Sequence, residues 1–264
     1  MTKHSQNGLE QALQKCAEEP IHQLGTIQPH GVALVLSQSS NHIIIQASDN
    51  CAQLINSVPE QALGKTLAVV LGKTASIQVA QLIAMAQQAT THYATGVIEL
   101  SNQNQLDAHV YLADGTAVLE LSDDAGLPKK EGLTELLLQT QQLLLDCDSE
   151  KHLNDYLTQK AELVRSIIGY DNVMIYRFDE NWDGQVIAQS GVDQAVDYLG
   201  THFPASDIPP QARLLYTHNL VRIVTDVNAQ AIGFVPPLNP DTQLPLNMSS
   251  SVLRSVSPIH LQYL

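Results

Sequence analysis

The sequence predicts an α+β protein of two domains, each an antiparallel sheet flanked by helices. Three observations carry that reading. Short runs of apolar and β-branched residues separated by polar turns recur between positions 31 and 121, the pattern of hairpin-linked strands. One stretch of helical apolar spacing, 76–89, interrupts them. The charged segment SDDAGLPKKEG at 122–132, with its glycines and proline, then breaks the pattern, and two helical stretches follow before strands return.

Taken in order, GVALVL at 31–36 and HIIIQAS at 42–48 are expected to be adjacent strands joined by the turn-forming QSSN, with a short helix over 50–55. The helix at 76–89 is followed by strands at 93–100, 106–112 and 116–121. Asp114-Gly115 makes the last turn, a dipeptide suited to a tight hairpin. Beyond the boundary, 133–145 and 152–168 have helical spacing, and 173–178 with 185–189 form a strand pair around the turn 180–184. The stretch FPASDIPPQARLLYTHNLVR, 203–222, joins a polar turn to a helix start. Ser206 and Asp207 supply capping oxygens, Ile208 is pushed to an extended conformation by the proline after it, and Pro209 with Pro210 opens a helix whose first turn needs no amide donors. Residues 226–257, with Pro236, Pro237, Pro240 and Pro245, show little periodicity, and so long an irregular segment implies a purpose.

Composition narrows the function. The 264 residues, 44% hydrophobic, give each domain enough chain for a core. Thirteen basic against 27 acidic side chains leave a formal charge of −14, which repels phosphate backbones and argues against nucleic-acid binding. No apolar run approaches the roughly 20 residues that span a bilayer, and the N-terminus lacks the apolar core of a secretory signal, so no membrane partner and a cytoplasmic location are expected. Cys16, Cys51 and Cys147 are widely spaced with no CxxC pair, so neither a disulfide framework nor a zinc site is indicated. HExxH, G-x-S-x-G and a phosphate-binding glycine loop are absent, and no enzyme is expected.

Several segments in the right order resemble the phytochrome photoreceptors of bacteriophytochrome type. They are Cys16 with EEPIH, GTIQPHG at 25–31, VMIYRFD at 173–179, FPASDIP with QAR, LY and R at 203–222, and VLRSVSPIHLQYL at 252–264. The resemblance covers nearly the whole chain. It implies an N-terminal arm at 1–24, a PAS domain at 25–122, a linker at 123–132 and a bilin-binding GAF domain at 133–264. It also implies a figure-of-eight knot in which the arm around IQPHG passes through the 226–257 loop. Family GAF domains continue beyond the HLQYL segment, so the GAF domain is expected to be incomplete at its C-terminus and its pocket with it. The PHY and output modules are expected to lie outside this chain, and a homodimer through GAF helices is a possible assembly.

The resemblance also assigns residues. Family members that use biliverdin, a linear tetrapyrrole, attach it through a cysteine in the arm, here Cys16. Members that attach other bilins use a GAF cysteine immediately before a histidine, and here that place is Ile259, next to His260. The Asp207 backbone carbonyl and His260 would accept from the pyrrole N–H groups, with Ile208 beside them. Arg222 and Arg254 would take the propionates with the bidentate geometry of guanidinium, and Ser257 would contact a propionate. Tyr176, Phe203 and Tyr263 would surround ring D, and Tyr216 would hydrogen-bond within the pocket. From the residues alone, other roles stay open: Asp207 as a helix cap, His260 as a core histidine, the arginines as partners of protein carboxylates, the aromatics as core packing and Cys16 as a surface thiol. The leading function is a red/far-red light-sensing module that binds biliverdin covalently and signals through ring D photoisomerisation. The alternative is a PAS/GAF regulatory or interaction fragment without photochemistry.

Overall fold

The computed structural model describes residues 18–37, 41–123, 141, 153–258 and 260–262. Its contacts divide the chain into two units, one from 1–126 with 210–264 and the other from 127–209.

The first unit is built on seven antiparallel strands in the order β1-β10-β3-β2-β6-β5-β4. They are β1 (Thr26–Ile27), β2 (Gly31–Leu36), β3 (Ile44–Ser48), β4 (Tyr93–Glu99), β5 (Gln105–Ala113), β6 (Thr116–Ser122) and β10 (Ile232–Val235). Strands β2 to β6 lie where the apolar runs place them. Asp114 and Gly115 both take positive φ, 48° and 78°, as the hairpin between β5 and β6 requires. Every residue of β2 is buried. A strand buried on both sides needs two covers, and the sheet has them. One face packs beneath α1 (Ala52–Ile55), α2 (Pro59–Ala62), α3 (Leu67–Val70) and α4 (Lys73–Gln88), with Val32, Leu34, Val79, Leu82 and Leu119 in that core. On the other face Ala33, Val35, Tyr111 and Val118 meet Phe234, Leu246, Met248 and Leu253 of the returning loop.

Two differences from the sequence reading have plain causes. α4 begins at Lys73 rather than Ser76 because Gly72, at φ 98°, turns the chain directly into the helix, and a Cβ there would meet the Ser101 hydroxyl at 2.1 Å. The 226–257 segment contains a strand, β10, which pairs with β1 on one side and β3 on the other. Four residues, IGFV, carry too short a pattern to be read as a strand, and the two exposed edges decide the conformation.

The second unit, in its described part, consists of α5 (Leu153–Ile168) against β7 (Asn172–Phe178), β8 (Gly184–Gly191) and β9 (His202–Phe203), in the order β7-β8-β9. Ala161 of α5 packs with Val186 and Ala188 among its buried side chains, and Arg165 Nε donates to Ser190 Oγ at 2.9 Å. In the β7–β8 turn the Asp179 carboxylate accepts from the amides of Asn181 and Asp183, at 2.8 and 2.9 Å. The helix expected at 133–145 lies outside the described residues except at position 141, which is helical, and Cys147 lies outside them.

Candidate functional site

The returning loop presents two arginines from the first unit. Arg254 is fixed from three directions. Its backbone bridges Ile27, its N–H donates to Ser251 Oγ at 2.8 Å, and its Nη1 donates to the Ile21 carbonyl at 2.8 Å. Arg222 reaches the same segment, with Nη2 donating to the Ser255 carbonyl at 2.9 Å. Among the described residues both guanidinium groups keep a buried nitrogen with no acceptor, Nη1 of Arg222 and Nε of Arg254. Neither arginine pairs with a carboxylate among the described residues. Burial lowers the pKa of both, and Arg254 falls to about 10 through burial and the neighbouring Arg222 charge. Tyr216, half exposed on α6 (Pro210–His218), and Glu120 act in the opposite sense on both.

Glu120 of β6 is fully buried on the face that the loop covers. Its carboxylate accepts from Ser251 Oγ, from Val252 N at 2.8 Å and from Leu253 N at 3.3 Å. Burial outweighs these bonds and the Arg222 charge, and raises its pKa to about 7. The segment at β1 and the returning chain also bond to each other. The Gln28 side chain donates to the carbonyls of Ile223 at 2.8 Å and Arg254 at 3.4 Å, and accepts from Thr225 N at 3.1 Å. Thr26 and Ser255 share a hydroxyl pair at 2.5 Å. Ser257 is buried and donates to the Glu19 carboxylate, while the exposed His260 donates its backbone N–H to Ser257 Oγ at 3.4 Å. Leu24, Gln28, Asp226, Ser255, Val256 and Leu261 line a nearby cavity of about 230 Å³.

The second unit gathers aromatic rings. Tyr176 lies edge-on to Phe178, with centroids 5.1 Å apart, and 6.0 Å from Phe203, which in turn lies 6.3 Å from Tyr198. A bulge in β7 between Ile175 and Tyr176 re-aims the strand at this point. Gly184 leaves room for the Tyr176 ring, since a Cβ there would sit 1.8 Å from its Cζ. Partial burial, then the nearby Asp207 and Asp183 carboxylates, raise the Tyr176 phenol pKa. Asp207 ends a 3-10 turn (Ala205–Asp207), its N–H donating to the Pro204 carbonyl at 3.0 Å, and Asp183 accepts from Ala205 N at 2.8 Å. The capping expected of Ser206 and Asp207 does not form among the described residues. The tight turn satisfies its own amide and leaves both side chains exposed. Pro210 opens α6 as expected.

Tyr216, Arg222 and Arg254 thus come together in the first unit, with Ser257 and His260 farther along the same loop. Tyr176, Phe203 and Asp207, followed by Ile208, come together in the second. Cys16, Ile259 and Tyr263 lie outside the described residues. The sequence reading missed Glu120 and Ser251 beside the arginines, Glu19 beside Ser257, Phe178 and Asp183 beside Tyr176, and Tyr198 beside Phe203. Glu120 left a signal, a single carboxylate inside the apolar run TAVLELS. His260 is exposed, so it is not the buried core histidine that the residues alone left open. Cys51 is buried, donates to the Ser57 carbonyl at 2.9 Å and has its thiol pKa pushed up to about 11, which makes it a poor nucleophile.

An antiparallel sheet sealed by helices on one face and by a returning loop on the other is the architecture of a PAS fold. The family model PAS_2, described as a PAS fold, matches residues 16–123. Cyanobacterial phytochrome B of Nostoc sp. is 35% identical over 96% of this chain and 33% of its own length. A bacteriophytochrome of Xanthomonas campestris pv. campestris is 36% identical over 96% of this chain and 39% of its own. Among solved structures, the chromophore-binding domain of Stigmatella aurantiaca phytochrome P1 superposes with a TM-score of 0.76 at 34% identity, covering 94% of this chain and 81% of that one. That of the bacteriophytochrome RpBphP3 from R. palustris gives 0.75 at 31%, covering 94% and 80%. The chain belongs to the phytochrome family, and the solved structures it matches are chromophore-binding domains of bacteriophytochrome and phytochrome relatives. It spans between a third and two fifths of the length of these curated relatives.

Proposed function

We propose that this chain is a red/far-red light-sensing module that holds biliverdin, attached covalently through Cys16. The observation that carries the reading is the arginine pair. A guanidinium nitrogen buried without an acceptor costs free energy, and Arg222 and Arg254 each keep one. Two propionates are the carboxylates a linear tetrapyrrole brings, and they fit these donors. When bound, biliverdin supplies visible-light absorption and isomerisation at ring D. Cys16 attaches it by addition to a carbon–carbon double bond of the ring A side chain. Sulfur bonds one carbon, the thiol proton passes to the other, and no oxidant is needed. Ile259, where other family members carry their attachment cysteine, cannot substitute. The Asp207 carbonyl and His260 accept from the pyrrole N–H groups, with Ile208 alongside. Ser257 contacts a propionate, Tyr216 hydrogen-bonds in the pocket, and Tyr176, Phe203 and Tyr263 bound ring D. The aromatic grouping around Tyr176 supports that last assignment.

The same reading makes 1–24 the arm, 25–122 the PAS domain, 123–132 the linker and 133–264 part of a GAF domain. The segment around IQPHG passes through the 226–257 loop as a knot, a reading that the Gln28 bond to the Arg254 carbonyl and the β1–β10 pairing support. Dimerisation through GAF helices, coupling to a PHY or output module and a cytoplasmic setting belong to the proposal as well. No helix among the described residues is long and apolar enough to cross a membrane.

Co-expression with biliverdin tests it. A zinc-fluorescent band on a denaturing gel, lost in Cys16→Ser, together with a red/far-red difference spectrum, is the expected result. A wild-type chain that acquires neither band nor visible absorbance overturns the reading, and leaves a PAS/GAF interaction fragment.

A further inference from the structure

Glu120 is the one buried carboxylate among the described residues, it bonds to the arginine loop from the sheet, and nothing in the proposed pocket uses it. It sits on β6 with its side chain against the turn 251–254. Both its oxygens are engaged there, one by Ser251 Oγ and the other by the amides of Val252 and Leu253. Ser251 Oγ in turn accepts from the backbone N–H of Arg254. One buried carboxylate therefore organises the four residues that end in Arg254. Among the described residues it makes no ion pair with either arginine, yet its charge acts on both.

We propose that Glu120 is the positioning residue of the arginine pair and its resident counter-charge, so that a carboxylate ligand on Arg222 and Arg254 displaces negative charge from Glu120 by proton uptake. This rests on the reading that the two arginines receive ligand carboxylates. The physical argument has two parts. The turn is held by acceptor geometry, which a carboxylate provides in either protonation state on the Val252 and Leu253 side. The charge is a separate matter. A deprotonated Glu120 and a ligand carboxylate draw on the same two cations in a poorly hydrated region, so each weakens the other. Linkage then requires that ligand binding favour the protonated acid, with the proton taken from solvent.

The titratable and charged groups around Glu120 bear on where this occurs. His109 is its register partner on β5, with Nε2 bonded to the Ser250 carbonyl at 2.8 Å, and burial lowers its pKa. Tyr111, also on β5, is buried and its phenol pKa is raised, first by burial and then by the Glu120 charge. Asp107 of β5 lines the same cleft. The loop supplies Arg222 and Arg254, and β2 opposes Glu120 with the uncharged Ala33. Glu120, with its pKa raised to about 7, is the group that changes charge in the neutral range.

The test uses the full chain in a Cys16→Ser background, so that binding is reversible, and compares biliverdin with its dimethyl ester by absorbance titration between about pH 6 and pH 8. Any titration of the pyrrole nitrogens is common to both ligands and cancels in the ratio of affinities. The parent is expected to prefer the diacid, with that preference growing about 5-fold as the pH falls across the range. In Glu120→Gln the amide oxygen keeps the Val252 and Leu253 bonds and its NH₂ meets Ser251 Oγ. Diacid preference should then stay at its low-pH value throughout. Glu120→Ala, with circular dichroism unchanged, should lose the preference because the turn is released. If Glu120→Ala does not fold, the parent and Glu120→Gln profiles decide alone. A diacid preference without a pH slope, or the same slope in Glu120→Gln, overturns the role of Glu120 while the arginine reading stands. No preference for the diacid at any pH overturns both.

Discussion

In the seven-stranded unit β2 is buried along its whole length, and β6 all but its last residue. In the three-stranded unit β8 alternates between buried and half-buried residues. The first pattern is a sheet covered on both faces, the second a sheet with one covered face. The difference shows what each region can do chemically. Where both faces are dry, a buried carboxylate needs several partners, and Glu120 has three. Where one face stays open, rings such as Tyr176 and Phe203 sit half-buried and are free to adapt. Fixed charge is thus concentrated in one unit and aromatic surface in the other.

The comparison can be broken by substitution. Leu34→Ala, in the fully buried centre of β2, should cost about 2–5 kcal/mol in denaturant unfolding, the largest effect anticipated. Next is the pH dependence that Glu120 imposes. Its folded pKa lies above that of an unfolded glutamate, so its contribution is fully present below about pH 4.3 and is lost as pH rises through about 7. Stability should fall by on the order of 1–3 kcal/mol across that window, and Glu120→Gln should flatten the curve. Equal slopes in the two proteins would remove Glu120 from the dry face. Gly31→Ala puts a Cβ 2.5 Å from Leu253 Cδ1 and 2.8 Å from the Leu121 carbonyl. Because the loop is packed down on the sheet, that overpacking should cost about 1–3 kcal/mol, read as a lowered Tm. Gly184→Ala makes a closer approach, to the Tyr176 ring, yet should cost under about 1 kcal/mol because the ring can swing outward. Near-ultraviolet circular dichroism should change while Tm barely moves. A large drop in Tm would mean that the aromatic face is as rigid as the other unit.

How far the sequence was legible varies residue by residue. β2, β5, β6 and the Asp114-Gly115 hairpin were readable because local apolar runs and turn chemistry agree with the final pairing. The single helical turns α2 and α3 were not, since four residues carry no period. β10 was hidden because IGFV becomes a strand only between two edges that lie far from it in sequence. Of the site, Arg222 and Arg254 stood out as arginines in apolar settings in an acidic chain. Ser251 and Glu19 did not, because a serine or glutamate at the surface and one bonded across more than a hundred residues look alike in one dimension.

The sequence by itself determined β2 to β8, the helices α4 and α5 and the candidate ligand groups, because each depends on residues within a few positions of one another. Only the tertiary structure decided that the second face of the sheet is sealed by residues 232–255, and that Glu120 lies beneath Arg254. It also decided that each arginine keeps a buried nitrogen without an acceptor among the described residues. Those outcomes depend on contacts between distant segments, whose chain-closure cost is met by burying apolar surface from both at once.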